Sequence, residues 1–488
     1  MVKFTKEVLT LYKVEITGPA EETDYEQLSV VHRLLPDRDG QVCVQTYAWL
    51  FDHHGDVKVM VREGVGTSDE RRSAAIHRVA KLNFYRMFTE ELGMEPAPWG
   101  VLHGVRPTKI VHRWIREGMQ EEAIVQRLMR DYACSEEKAR LIVPMAFRQL
   151  PFLAQGAPDM VSIYVGIPFC LTRCLYCSFP ANILPGEEKL REFLTVFYKD
   201  LDAVKRNVAK YHLRVQNIYI GGGTPTSLPD DIFAEMLDSV YNAFYGPECV
   251  EFTVEAGRPD SMTPAKIAAM AEHHVTRVSV NPQTMQQRTL QLIGGQHTPE
   301  QVVEMYHALR EAGIPHINMD LILGLPGETA ADVADTMERC VALEPDDITL
   351  HALAIKRGSR LKLIMQEKHV DLPSDEETRK MSETALGYIA RAGMHPYYLY
   401  RQGYMSGDLE NIGCCRPGAE GMYNIQIMEE HQTILGIGGA AATKVVDPET
   451  TVMRSAFNAK DLRTYLSEID TYIAKRDALI ASAYDKTL

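Results

Sequence analysis

Two patterns of apolar and polar positions divide the chain. Up to about residue 150, short alternating runs come first: VLTLYKVEIT, QLSVVHRLL, QVCVQTYAWLF and VKVMVREG, separated by Asp, Gly and Pro clusters. Alternation with period two reads as strands that bury one face. A helix is predicted from Ser68 to Leu92, with Ser68 as its cap and Glu70, Arg71 and Arg72 in its first turn. A Gly/Pro-rich connector, PWGVLHGVRPT, then leads into two or three helices through WIREGMQEEAIVQRLMRDYA and SEEKARLIVPMAF. The His53-His54 pair beside Gly55 reads as a turn, and Arg71-Arg72 as a solvated helix face.

From Ser162 the pattern changes to strand then helix, repeated. Candidate strands are SIYVGI, NIYIGG, VEFTVEA, RVSVN, HINMDLIL and DDITLHAL. Helical stretches follow at Glu187–Tyr211, Asp230–Tyr245, Pro264–His274, Pro299–Ala312, Ala330–Leu343 and Asp375–Ala392. Short apolar-rich strands alternating with helices imply a parallel sheet, and six such units a barrel or partial barrel. The expected fold is α/β: a partial (β/α)6 barrel at 156–392, an N-terminal α+β domain at 1–155 and a small C-terminal α/β region at 393–488. Barrels of this kind gather functional residues at the C-terminal ends of their strands. Cys170–Cys177 follow the first strand, Gly221–Thr224 end the second and Glu255 ends the third. Gln283 follows the fourth and Ala354 ends the sixth, while Asp320 lies within the fifth and fits the rule most loosely.

Composition narrows the setting. The 488 residues, 45% hydrophobic and 24% charged, suit a globular protein of about three domains. A net charge of −14 argues against a nucleic-acid partner, which needs a positive field. No run of about 18 apolar residues and no signal-peptide core is visible, so no membrane span is expected. Nine cysteines in a long chain do not form a secreted disulfide framework, and a reducing, cytoplasmic location is expected.

The chemistry centres on YVGIPFCLTRCLYCSF, where Cys170, Cys174 and Cys177 stand as C-x3-C-x2-C. Structural zinc wants four ligands, often as paired C-x2-C units, and no second such pair exists. Free cysteines are also common as small buried hydrophobes. Three thiolates at this spacing suit three irons of a [4Fe–4S] cluster, which leaves the fourth iron open. One strand later, the glycine-rich IGGGTPTSL permits close backbone approach to a ligand, or makes a tight strand-to-helix turn.

This stretch resembles the radical S-adenosylmethionine (SAM) superfamily, with Tyr176 as the aromatic before the third cysteine. YVGIPFC is similar to the branch of oxygen-independent coproporphyrinogen III oxidase, and that likeness runs from about Ser162 to Lys444. The segments PYYLYRQGYM, ENIGCCRPG and YNIQIMEEHQTILGIGG resemble the HemZ-type coproporphyrinogen dehydrogenases. The resemblance implies a radical-SAM barrel in which Cys170, Cys174 and Cys177 hold the cluster. Tyr164, Tyr176, Gly222, Gly223, Thr224, Glu255, Gln283, Asp320 and Ala354 match positions that touch SAM, with Ala442 a weaker match. Glu255 matches the acid that holds the ammonium, and Gln283 and Asp320 suit ribose hydroxyls.

The implied reaction is oxidative decarboxylation of coproporphyrinogen III propionates to vinyl groups, giving protoporphyrinogen IX in heme biosynthesis. It implies a tetrapyrrole substrate and an electron donor such as flavodoxin or ferredoxin. Three departures stand against the oxidase pattern: Gly166 replaces a His, Phe179 a fourth Cys, and Gly294-Gly295 an Arg that contacts a second SAM. One SAM is therefore expected, and a heme-binding chaperone or another radical SAM tetrapyrrole enzyme stays open. Four propionates call for cations, and Lys356, Arg357 and Arg360 cluster after the sixth strand. Arg401, Arg416 and Lys444 lie further on, and Tyr397, Tyr398, Tyr400 and Tyr404 suit either a macrocycle or an ordinary core strand.

Overall fold

The structure, a computed structural model, describes residues 27–52, 54–177, 179–354, 361, 365–367, 370–401, 407, 409–447 and 452–485. Two compact units emerge, Met1–Phe147 and Arg148–Leu488. Among the described residues no helix is long and apolar enough to cross a membrane.

In the first unit, β1 (Gln27–Arg38), β2 (Gln41–Phe51) and β3 (Val57–Val65) form an antiparallel sheet. The even positions Val42, Val44, Ala48 and Leu50 of β2 are buried under a helix at Arg72–Arg86, through Ala75, Val79 and Phe84. That helix starts four residues after the expected cap. Asp69 and Glu70 are drawn instead into ion pairs with Arg127 (2.6 Å) and Arg78 (2.7 Å), which hold the preceding turn out of the helix. At the β2–β3 turn the His54 N–H donates to Asp52 Oδ1 at 2.8 Å, while His53 lies outside the described residues.

In the second unit, β4 (Met160–Ile167) is followed by the two-residue strands β5 (Phe169–Cys170) and β6 (Asn182–Ile183), which pair with each other. Then come β7 (Arg214–Gly222), β8 (Glu251–Gly257), β9 (Arg277–Gln283), β10 (His316–Leu323) and β11 (Asp347–Ala352). Strands β4 and β7 to β11 lie side by side, all parallel, and are the six read from the sequence. Their residues are buried on both faces, with apolar ones such as Ile163, Ile218, Val254, Val280, Met319 and Leu350 alternating with polar ones such as Ser162, Asn217, Thr253, Ser279, Asn318 and Thr349.

The chain then supplies β12 (His395–Tyr400), β13 (Asn411–Cys415), β14 (Thr433–Gly438), β15 (Ala442–Val446) and β16 (Met453–Phe457). They extend both edges of one eleven-stranded sheet. Strands β13 and β12 continue past β11, while β14 pairs parallel with β4 and leads to β15 and β16. Among the described residues the ladder runs from β12 to β16 as a mixed sheet, and its parallel centre, β4 and β7 to β11, is the expected six-stranded (β/α) core. The last helix, Leu462–Tyr484, is tied in by fully buried Asp200, which accepts from Arg476 Nη1 (2.6 Å), Gly438 N (2.8 Å), Asn458 Nδ2 (2.9 Å) and Tyr465 OH (3.1 Å). A buried carboxylate with this many donors has its desolvation offset.

Candidate functional site

The cysteine loop leaves β4 and is laid across the end of β7 by backbone bonds. Gly223 N donates to Ile167 O (2.8 Å) and Thr224 N to Phe169 O (2.7 Å). This approach needs glycine. A Cβ on Gly223 would stand 2.4 Å from Phe169 O, and one on Gly221 would stand 2.7 Å from Glu255 Oε2. The glycine run therefore has a packing duty beside any ligand duty. Gly166 is also sterically set, since a Cβ there would meet Gly439 O at 2.9 Å, so the histidine of the resembled pattern has no room.

The three thiols are half-buried and share a polar cradle. Thr224 Oγ1 lies 3.5 Å from Cys170 Sγ, Arg258 Nη1 3.7 Å and Gln283 Nε2 3.9 Å from Cys174 Sγ. Burial pushes the Cys170 thiol up, against the Thr224 hydroxyl. The neighbouring Leu175 and Tyr176 pack against Leu290, Ile293, Leu325 and Leu353, and Leu175 N donates to Ile293 O at 3.2 Å, which together anchor the loop. The three-cysteine spacing, the Arg258 guanidinium beside Cys174 and the orphaned buried Gln283 Oε1 fit an anionic cluster with a polar ligand next to it.

Gln283 itself has φ +66°, a left-handed backbone that costs roughly 1–3 kcal/mol in a residue other than glycine. It ends β9 and turns its amide toward the cysteine loop.

Behind the loop lies a cavity of about 220 Å³ lined by residues that include Tyr219, Glu255, Asp320, His351, Tyr398, Tyr400 and Tyr423. Glu255 accepts from the Tyr219 hydroxyl (2.5 Å) and the Gly222 N–H (3.2 Å), yet burial still pushes its carboxyl up to about 7. Asp320 behaves oppositely. Burial alone would raise it, but His351 Nε2 at 3.6 Å, Asn318 Nδ2 at 2.7 Å and Ser279 Oγ at 3.2 Å hold it below the usual range. Burial lowers and Asp320 raises the His351 imidazole, with the net shift upward. The site thus pairs one acid poised to take a proton with another held ionised.

The sequence-predicted residues are brought together unevenly. Tyr164 stacks on Tyr219 (6.1 Å between ring centres), and Tyr219 on Tyr423 (4.4 Å). Glu255 and Asp320 face one cavity; Asp320 sits within β10 rather than at the rim, and its side chain points inward. Ala354 follows the end of β11, and Ala442 opens β15. Tyr398 and Tyr400 line the cavity, whereas Tyr397 is buried with Asn424 Nδ2 donating to its hydroxyl at 3.0 Å. Arg401 follows Tyr400 at the same end of the sheet, and Arg416 Nε instead donates to Pro345 O at 3.1 Å. Lys356, Arg357, Arg360 and Tyr404 lie outside the described residues. Sequence reading passed over Arg258 and His351. Arg258 stands three positions past Glu255 and His351 is a polar break near the end of an apolar strand, signals that acquire meaning only once the strands are adjacent.

The model for the radical SAM superfamily matches residues 164–340. The chain is 38% identical over 394 residues to the oxygen-independent coproporphyrinogen-III oxidase-like protein HemZ of Bacillus subtilis (strain 168), covering 80% of this chain and 78% of that one. It is 27% identical over 284 residues to the heme chaperone HemW of the same organism, covering 58% and 70%. Among solved structures, the radical SAM enzyme coproporphyrinogen III oxidase (HemN) from Escherichia coli aligns with a TM-score of 0.54 and 21% identity over 70% of this chain and 78% of that one, a likeness of fold.

Proposed function

The chain belongs to the radical SAM superfamily, in the HemZ family of oxygen-independent coproporphyrinogen-III oxidase-like proteins, and on that premise we propose that it decarboxylates coproporphyrinogen III propionates to vinyl groups. Its cofactors are a [4Fe–4S] cluster and SAM, which together supply, when bound, a 5′-deoxyadenosyl radical able to take hydrogen from a propionate β-carbon. Cys170, Cys174 and Cys177 would hold the cluster. Tyr164, Tyr176, Gly222, Gly223, Thr224, Glu255, Gln283, Asp320 and Ala354 form the SAM-facing set.

The protein's own tasks are positional. The Glu255 carboxylate pairs with the SAM ammonium in its ionised form. Gln283 and Asp320 hydrogen-bond the ribose, and His351 keeps Asp320 an acceptor. The Arg258 guanidinium stands beside Cys174, where it would offset the negative charge of a bound cluster. Tyr398, Tyr400 and Tyr423 wall the cavity and exclude water. The tetrapyrrole enters over this rim, with Lys356, Arg357, Arg360 and Arg401 as its carboxylate partners. One electron enters through a donor such as flavodoxin or ferredoxin, and an acceptor takes the electron left after carbon dioxide departs.

The observation that carries this reading is the shared rim: the three-thiol loop, and a cavity walled by β12 and the Met422–Glu429 helix from the chain's HemZ-like C-terminal segment. A second reading, heme binding without turnover, draws on Phe179 in place of a fourth cysteine and on the HemW similarity. Cluster reconstitution without oxygen, followed by SAM, reductant and coproporphyrinogen III, separates the two. Stepwise loss of carbon dioxide by mass spectrometry is expected. Stoichiometric heme retention with an unchanged substrate mass would replace the first reading by the second.

A further inference from the structure

We propose that His395, Cys415 and Glu420 form a zinc site at the base of the sheet, the end away from the cysteine loop. His395 opens β12 and is the register partner of Cys415, which closes β13; Cys415 in turn pairs with Asp347 at the start of β11. Residues directly opposite across an antiparallel ladder point to the same face. One row across three strands therefore holds an imidazole, a thiol and a carboxylate, and Glu420 comes in from the turn after β13.

The distances suit one small ion. His395 Nε2 lies 2.9 Å from Glu420 Oε1 and 3.9 Å from Cys415 Sγ, and the three donor atoms all fall within 4.8 Å. Tetrahedral zinc, with Zn–N of about 2.0 Å and Zn–S of about 2.3 Å, sets neighbouring donors about 3.3–3.6 Å apart. The observed separations bracket that range, so small side-chain shifts close the site.

Charge and burial agree. Cys415 is fully buried and the Glu420 side chain is 9% exposed. A dication with one thiolate, one carboxylate and one neutral imidazole sums to zero, the state that a buried site tolerates. The nearest cation, Arg277, is already engaged by Asp347 (2.8 Å) and Glu251 (3.6 Å). Asp347 Oδ1, beside Cys415 in the same row, is buried without a hydrogen-bond partner, an independent sign that the row is polar beyond its internal needs. A mixed N/S/O set favours zinc among common divalent ions, and a water in the fourth position would satisfy that oxygen.

The test uses the full chain carrying Cys170→Ser, Cys174→Ser and Cys177→Ser, so that no cluster thiol contributes, and Co²⁺ as the probe. One Co²⁺ per chain with thiolate-to-metal charge-transfer absorption is expected, displaced by one equivalent of Zn²⁺, with a melting temperature raised by about 3 °C or more. Cys415→Ser abolishes the absorption. Glu420→Gln keeps hydrogen bonds toward His395 and Gly418 and so preserves the fold, yet weakens Co²⁺ at least about tenfold. Absence of the absorption in the triple variant, folded by circular dichroism, would overturn the site. So would absorption that survives Cys415→Ser, or Glu420→Gln affinity equal to the parent's.

Discussion

The same strands end in two different kinds of place. Strand β8 carries Glu251 at its base and Glu255 at its rim; β9 carries Arg277 and Gln283; β11 carries Asp347 and His351. At the base the ions answer one another. Arg277 reaches Asp347 and Glu251, and Glu251 also accepts from Met422 N (2.9 Å) and Tyr423 N (3.1 Å). At the rim the polar atoms look into a cavity, one acid is pushed up to about 7, and a glutamine is held at φ +66° with an orphaned oxygen. Two glutamates four residues apart in one strand thus serve opposite ends: Glu251 is tied to a cation and two backbone N–H groups at the base, whereas Glu255 faces the cavity at the rim with no cation among the described residues paired to it in the same way.

The comparison breaks most visibly at the cysteine loop. Cys174→Ala should abolish cluster-bound iron and lower SAM cleavage on the order of 100-fold or more, with the melting temperature little changed, because the thiol is half-buried and its contacts to Arg258 Nη1 (3.7 Å) and Gln283 Nε2 (3.9 Å) are long. Iron analysis, 5′-deoxyadenosine release and calorimetry read this together. Arg277→Met is the mirror experiment. It leaves Glu251 and Asp347 buried without their cation and should cost about 3–5 kcal/mol in denaturant unfolding, while the folded fraction binds SAM as before.

Glu255 sharpens the contrast, because binding and stability move in opposite directions. Glu255→Gln should raise the SAM dissociation constant by about 10- to 100-fold, the worth of a charged hydrogen bond. Its folded carboxyl lies at about 7, above the ordinary 4.5, so the folded state holds the proton longer than the unfolded chain. Its contribution to stability is therefore complete below pH 4.5 and is lost as pH rises toward 7; the Gln variant lacks that decline and should gain on the parent above pH 7. In the parent, SAM affinity should fall as pH drops below about 7 and the carboxylate protonates. The smallest effect is expected for His351→Asn. Removing the imidazole lets burial raise Asp320, so SAM affinity should weaken only a few-fold, with the acidic limb of its pH profile displaced upward.

Legibility followed the same division. The six parallel strands could be read because short apolar-rich runs recur between helical stretches, and the rim candidates because they stand at strand ends. Asp320 fits loosely as a rim residue because its side chain faces inward from within β10. Arg258 and His351 were not readable as site residues, since single polar residues acquire a role only from neighbours distant in sequence. Nor was the seating of β12–β13 on one edge and β14–β16 on the other, which depends on contacts such as Asp200 with Arg476 across more than 270 residues. The short helices Gln287–Leu292 and Met422–Glu429 span too few turns to show a periodic signal.

The most direct measurement of the central claim uses coproporphyrinogen III deuterated at the propionate β-carbons, turned over without oxygen by the reconstituted protein. The account predicts deuterium in the 5′-deoxyadenosine, matched by loss of carbon dioxide from the same substrate. Release of undeuterated 5′-deoxyadenosine, with the tetrapyrrole mass unchanged, would contradict it.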